Sequence, residues 1–168
     1  IDALKKKGFE EPTPIQVKII PLLLHSDTDV VGQAQTGTGK TAAFGLPLIE
    51  LIDEKAKYIS ALILVPTREL AIQVAEEINS LKGNRNHQIV PIYGGQSIEE
   101  QFRRLKKGAD IIVGTPGRIL DHLGRKSIML DNIEYLVLDE ADEMLAMGFI
   151  EDVEEILKNT KQKKRTFL

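Results

Sequence analysis

Val30-Val31-Gly32-Gln33-Ala34-Gln35-Thr36-Gly37-Thr38-Gly39-Lys40-Thr41 runs from a short apolar strand into the start of a helix through a loop of Gly and small polar residues. That make-up suits a phosphate cradle. Gly37 and Gly39 permit positive φ and close backbone approach, so successive N–H groups can turn inward on an anion. A helix that begins on the anion adds its unpaired N–H groups and the positive end of its dipole. At this spacing Lys40 reaches the β and γ phosphates, and the Thr41 hydroxyl stands where Mg²⁺ needs an oxygen donor. The strict pattern has Gly where this chain has Ala34. Taken alone, the loop therefore leaves open a Gly-rich turn with a solvated lysine.

The decision comes from further along the chain. A cation held by the phosphate-loop Thr needs a second protein contact, usually an acidic residue leaving an apolar strand. Tyr135-Leu136-Val137-Leu138 is such a strand, and Asp139-Glu140 follows it. Asp139 would hold Mg²⁺ through its water shell. Glu140 would orient and deprotonate the attacking water, a role worth roughly 10²–10⁴-fold. On their own the two residues could be an exposed acidic turn. Paired with a phosphate loop about a hundred residues upstream, they read as the second half of a nucleoside-triphosphatase site.

Strands and helices alternate outward from these two points. Helical spacing runs from Thr13 to Leu24, with Thr13 and Gln16 as a capping box and Pro14 at the first helical position. Asp29 to Gln33 reads as the strand before the loop. The helix after it, carrying Phe44, Leu46, Leu48, Ile49 and Ile52, is apolar nearly all round and expected to be buried, with a bend at Pro47. Ser60 to Val65, Gln88 to Tyr93 and Asp110 to Val113 have the length and apolarity of strands covered on both faces. Between them lie a helix from about Arg68 to Leu81 and another capped by Ser97 and Glu100 that should bury Ile98, Phe102 and Leu105. Thr115-Pro116 opens a short helix to Leu123 as N-cap and N1. After the loop-like Ile128 to Asn132 and the Tyr135 strand, one helix is expected to turn Ile150, Val153, Ile156 and Leu157 inward. Arg165 to Leu168 opens another strand. The pattern is that of one α/β domain over residues 1–168, with a doubly wound, mainly parallel sheet, helices on both faces and working loops at the strands' C-terminal ends.

Composition narrows the function. A chain of 168 residues buries on the order of 70% of the surface its unfolded form exposes, enough for one independent core. With no Cys, disulfides, thiolate metal sites and Cys nucleophiles are excluded. No apolar run has the length of a membrane span and no signal peptide opens the chain, so a cytoplasmic location is expected. A net charge of −3 argues against holding nucleic acid by bulk electrostatics, so any such contact must be local. The basic runs Lys5-Lys6-Lys7 and Lys161 to Arg165 read as solvated surface.

Asp139-Glu140-Ala141-Asp142 spells the motif of the DEAD-box ATP-dependent RNA helicases, and the chain resembles their first RecA-like domain from end to end. Gly8-Phe9-Glu10-Glu11-Pro12-Thr13-Pro14-Ile15-Gln16 resembles the family's adenine-reading Q motif. Ala34 to Thr41 is similar to its phosphate loop, in which Ala opens the run. Pro66-Thr67-Arg68-Glu69-Leu70-Ala71, Gly94-Gly95 and Thr115-Pro116-Gly117-Arg118 resemble three elements that grip the RNA backbone. The resemblance implies a RecA-like P-loop domain that uses ATP and Mg²⁺ and meets RNA without reading its sequence.

It also implies individual roles. Gln16 would hydrogen-bond N6 and N7 of adenine through its amide, which competes with its role as a helix cap. The aromatic that the family stacks on adenine lies upstream of residue 1, and Phe9 reads as a packing residue. Arg68 and Arg118 would meet RNA phosphates, with Thr67, Thr115 and the Gly95 backbone adding hydrogen bonds. Asp142 would couple the acidic motif to the family's Ser-Ala-Thr element, which would follow Leu168. Nothing in these residues could form the second RecA-like domain, which in the family supplies an arginine finger worth about 10³–10⁵-fold. The expectation is a monomeric half of a helicase that binds nucleotide weakly, hydrolyses it barely and does not unwind. A non-catalytic docking module on the same fold would be expected to break Lys40, Thr41, Asp139 or Glu140, and all are intact. A DNA translocase would keep the chemistry, and only the resemblance speaks against it.

Overall fold

Five short parallel strands organise the protein: Ala61–Leu64 (β1), Ile89–Ile92 (β2), Ile111–Gly114 (β3), Tyr135–Leu138 (β4) and Arg165–Phe167 (β5), in the order β2-β3-β1-β4-β5. The structure is a computed structural model that describes residues 11–35 and 37–168. The basic run Lys5 to Lys7, Gly8-Phe9-Glu10 and Thr36 lie outside those residues.

Each strand is apolar on both sides because both sides are covered. Ala61, Ile63, Tyr135 and Val137 point into one core with Leu23, Leu48, Val74 and Ile78. Leu62, Leu64, Ile112 and Leu136 point into the other with Ile119, Met144 and Ile156. The alternation follows from the two-residue period of a strand. Burying each large aliphatic contributes about 1.5–3 kcal/mol, so the sheet is the rigid base from which the loops project.

The first core is closed by Pro14–His25 (α1), Lys40–Leu51 (α2) and Arg68–Leu81 (α3). The second is closed by Pro116–Gly124 (α5), Ala141–Ala146 (α6) and Ile150–Lys158 (α7), with Leu105 of Ile98–Leu105 (α4) packed at its margin. α2 continues as one helix through Pro47, and Ala42 to Gly45 with Pro47, Leu48 and Ile49 are buried.

Several local expectations need correction. The strand expected at Asp29 to Gln33 forms only a bridge from Val30 to Phe167, although Val30 and Gly32 donate to Thr166 and Leu168 and Leu168 donates back to Val30. Among the described residues its partner is the short β5, so the ladder has little to run along. The capping box at Thr13 is present as expected, with Gln16 Oε1 accepting from the Thr13 N–H at 3.0 Å. The box at Ser97 does not form, because its hydroxyl donates to Glu99 at 2.6 Å while Glu100 accepts from the Gln96 amide at 3.1 Å. Thr115 occupies the N-cap without a side-chain cap bond, whereas Thr67 Oγ1 accepts from Leu70 N–H at 3.2 Å.

Ile98, Phe102 and Leu105 are only half-buried, and the buried residue of α4 is Gln101. The single helix expected after Asp139-Glu140 is two. Gly148, at φ +82, ends α6 in a Schellman turn, with Gly148 N–H donating to Leu145 and Phe149 N–H to Met144. The break leaves Ile150 exposed, not on the core face with Ile156.

Candidate functional site

All five strands run the same way, so the loops that leave them collect along one edge of the sheet. The order of the strands divides that edge. β2, β3 and β1 deliver Gly94-Gly95, Thr115 to Arg118 and Pro66 to Arg68. β4, with Val30 beyond β5, delivers Asp139-Glu140 and the phosphate loop. β1 and β4 are paired in register, Leu64 to Leu138, and the Asp139 N–H donates to Leu64 O at 3.0 Å. The two halves of the edge therefore share a rigid seam.

On the phosphate-loop side, Gly37 and Gly39 take φ of +79 and +86, the left-handed conformation that side chains disfavour. Gly39 is the N-cap of α2, so Lys40 and Thr41 occupy its first turn. Thr38 Oγ1 donates to Gln35 O at 2.6 Å and tightens the loop. A cleft of about 320 Å³ opens here, walled by Ala34, Lys40, Asp139, Glu140 and Asp142, with Ile15, Ile19 and Phe44 on its apolar side. Its size falls at the lower end of small-ligand sites.

Asp139 is 9% exposed. Burial pushes its carboxyl above the usual carboxylate range, the positive charge of Lys40 pulls it back, and neighbouring Glu140 pushes it up again. Such a carboxylate is poised to accept positive charge. Glu140 adopts φ 56, ψ 47, a left-handed conformation that costs a non-Gly residue about 1–2 kcal/mol. The turn sets two successive acidic side chains on the wall of one cleft, and Asp142 follows in the first turn of α6.

Gln16 is 3% exposed and tied at both ends of its amide. Oε1 accepts from Thr13, and Nε2 donates to Gly39 O at 3.1 Å. One N–H and one oxygen lone pair remain uncommitted. The amide thus joins the start of α1 to the start of α2, a contact that the sequence did not indicate.

On the other side, Arg68 lies over the Tyr93 ring at 5.2 Å, and a Cβ added at Gly95, which has φ +81, would stand 3.1 Å from its guanidinium. Arg118 donates to Gln96 O at 3.0 Å and pairs with Asp121 at 3.5 Å. Thr115 N–H donates to Ile92 O at 3.1 Å. Pro66 and Pro116 are buried and Gly94, Gly95 and Gly117 exposed. Every residue predicted to grip a polyanion therefore lies on three adjacent strand-to-helix junctions, with Arg68 at the start of α3 and Pro116 to Arg118 in the first turn of α5. Such a set of guanidinium, hydroxyl and backbone donors can hold a phosphodiester backbone but offers no base-edge readout. Tyr93, Gln96 and Gly114 were missed. Gly114 is needed because a Cβ there would meet Ile92 O at 2.8 Å and Ile119 Cδ1 at 2.6 Å.

Residues 13–168 match the family described as DEAD/DEAH box helicase. The chain belongs to the DEAD/DEAH box helicase family. A probable ATP-dependent RNA helicase of Methanocaldococcus jannaschii is 58% identical over 100% of this chain and 45% of its own length. A DEAD-box ATP-dependent RNA helicase of Bacillus subtilis, CshA, is 56% identical over 99% of this chain and 33% of its own length. A crystal structure of a DEAD box protein from Methanococcus jannaschii superposes with a TM-score of 0.95 at 58% identity, covering 99% of this chain and 46% of that one. That of a hypothetical ATP-dependent RNA helicase from Sulfolobus tokodaii gives 0.90 at 40% identity, covering 99% and 48%. This DEAD-box chain has the RecA-like fold and spans less than half the length of these relatives. Among its described residues no helix is long and apolar enough to cross a membrane.

Proposed function

We propose that the chain is the ATP-binding half of an RNA-dependent ATPase and RNA helicase, in which a second RecA-like domain of a longer parent closes over the same sheet edge. The observation that carries the reading is the division of that edge into a cleft with Lys40, Asp139 and Glu140 and three adjacent strand-to-helix junctions bearing Arg68 and Arg118, joined at the β1–β4 seam. The names of the relatives support it. With the reading goes a monomer working in the cytoplasm.

ATP would lie with its phosphates on the loop Ala34 to Thr41, its β and γ phosphates near Lys40 and its adenine toward Gln16. The donor set suits Mg²⁺, since Thr41 and Asp139 offer hard oxygens and no larger group of carboxylates or His gathers among the described residues. Water and phosphate would complete the coordination, as this ion prefers. Bound there, Mg²⁺ would neutralise charge on the phosphates. Asp139 would meet it through water, and burial of that carboxylate in a low-dielectric wall would strengthen the attraction. Glu140 would hold and deprotonate the attacking water. Asp142 would transmit the state of the acidic turn to the segment beyond Leu168.

The isolated chain is expected to bind ADP or ATP weakly, to turn over barely and not to unwind. Steady-state hydrolysis with and without RNA tests this. Robust RNA-stimulated turnover by residues 1–168 alone would contradict it. In the parent, Lys40→Ala, Asp139→Ala and Glu140→Gln should each remove hydrolysis, with Glu140→Gln keeping nucleotide affinity.

A further inference from the structure

Gly94, Gly95 and Gly117 are exposed, yet the Gly94-Gly95 loop and the Thr115 to Arg118 turn must keep a fixed separation if the Gly95 backbone and Arg118 are to meet one phosphodiester backbone together. Beneath them runs a polar chain sealed from water. Gln101 of α4 and His122 of α5 are both 0% exposed. Gln101 Nε2 donates to Tyr93 O at 2.8 Å and to Gln96 Oε1 at 3.2 Å, the two residues that bracket the Gly pair. Its Oε1 faces His122 Nε2 at 2.8 Å. His122 Nδ1 faces Ser127 Oγ at 2.8 Å, and Phe102 packs edge-on against the imidazole at 5.3 Å. His122 lies one helical turn beyond Arg118, whose guanidinium also holds Gln96 O.

The polarity of the Gln101–His122 link is fixed. Because the Gln101 amide nitrogen is committed to a carbonyl, its oxygen must face the imidazole, and Nε2 of His122 must carry the hydrogen. Burial, with the charge of Arg118 adding to it and Asp121 opposing, holds the His122 pKa below the ordinary imidazole value, so the neutral ring is the resident form. Apolar side chains at both positions would remove the Gln101–His122 bond without leaving either half of it unpaired, at the expense of the bonds to the Tyr93 carbonyl and the Ser127 hydroxyl. Directional bonds do what apolar contact cannot, which is to fix one loop relative to the other.

We propose that the Gln101–His122 hydrogen bond is a strut that sets the spacing of the Gly94-Gly95 and Thr115–Arg118 loops, making both side chains positioning residues for the polyanion-gripping edge. The functional half of this inference rests on the proposed RNA reading.

Two measurements on the full 168-residue chain separate strut from reading. Hydrogen exchange is followed at the amides of residues 94–97, 115, 117 and 118 in the parent sequence, His122→Leu, His122→Gln and the paired Gln101→Leu/His122→Leu. Anisotropy with a uridine oligomer of about ten nucleotides is measured at low salt on the same set and on Arg118→Ala. His122→Leu is expected to speed exchange in both loops about fivefold or more while residues 61–64 stay protected. RNA affinity should fall about fivefold, the weight of one hydrogen bond. His122→Gln, whose amide N–H can replace Nε2–H, should recover most of both losses. The paired variant keeps the core apolar and folded and should still show fast loops. Unchanged loop exchange in His122→Leu, or in the paired variant, overturns the strut. An unsubstituted chain that binds the oligomer no better than Arg118→Ala overturns the RNA reading, and with it the positioning role for RNA, whatever the loop exchange shows.

Discussion

Gly39→Ala probes the contact that ties the phosphate loop to Gln16. At φ +86 an added Cβ forces Ala into the left-handed region, at a cost of about 1–2 kcal/mol. The same Cβ would stand 2.4 Å from Gln16 Nε2. The amide must retreat, yet Gln16 is 3% exposed and anchored to Thr13 N–H and Gly39 O. Losing those bonds adds about 1–2 kcal/mol, for a total near 2–4 kcal/mol. Gly37→Ala is the internal control, because its φ of +79 carries the same strain while its Cβ would meet nothing within 4 Å. Urea denaturation should therefore rank Gly39→Ala below Gly37→Ala by about 1–2 kcal/mol. In a Gln16→Ala background the two should cost the same. Equal losses for both glycines in the parent sequence, or a difference that survives Gln16→Ala, would refute the reasoning.

Asp139→Asn should raise thermal stability at neutral pH. A carboxyl whose folded pKa is raised contributes stability that is fully present below its unfolded value and lost as pH rises through the folded one, so the gain of the Asn variant over the parent should shrink toward pH 4 and be absent below it. Calorimetric scans across that window give the comparison. Gly114→Ala should cost about 1–3 kcal/mol in denaturant titrations, since the Cβ must push against the Ile92 carbonyl and Ile119 together. Thr67→Ala should lose about 1 kcal/mol through its N-cap bond, and Thr115→Ala, which has no such bond, should lose less in the same assay.

The fold was legible because its signals are additive along the chain. Runs such as Ala61 to Leu64 and Tyr135 to Leu138 are apolar without alternation, and that pattern fits only strands covered on both faces. The positive φ of Gly37 and Gly39 followed from the need to turn N–H groups inward. What escaped was set by geometry across the chain. The Ser97 box failed because Glu99 and Gln96 took the partners that capping required. The split at Gly148 was available in the sequence as a glycine between two helical stretches, but periodicity alone ran across it. The buried Gln101 and His122 carry no local signal at all. A Gln among charged residues on α4 reads as solvated until the fold brings His122 against it.

The proposed function depends on an adenine-nucleotide site at the phosphate loop. Calorimetric titration of this chain with Mg·ADP and Mg·GDP, repeated on Gln16→Ala, tests it most directly. ADP should bind more tightly than GDP, with the preference lost in the variant. Equal binding of the two nucleotides, unchanged by Gln16→Ala, would contradict it and leave Gln16 as the cap of α1 and the tether of Gly39.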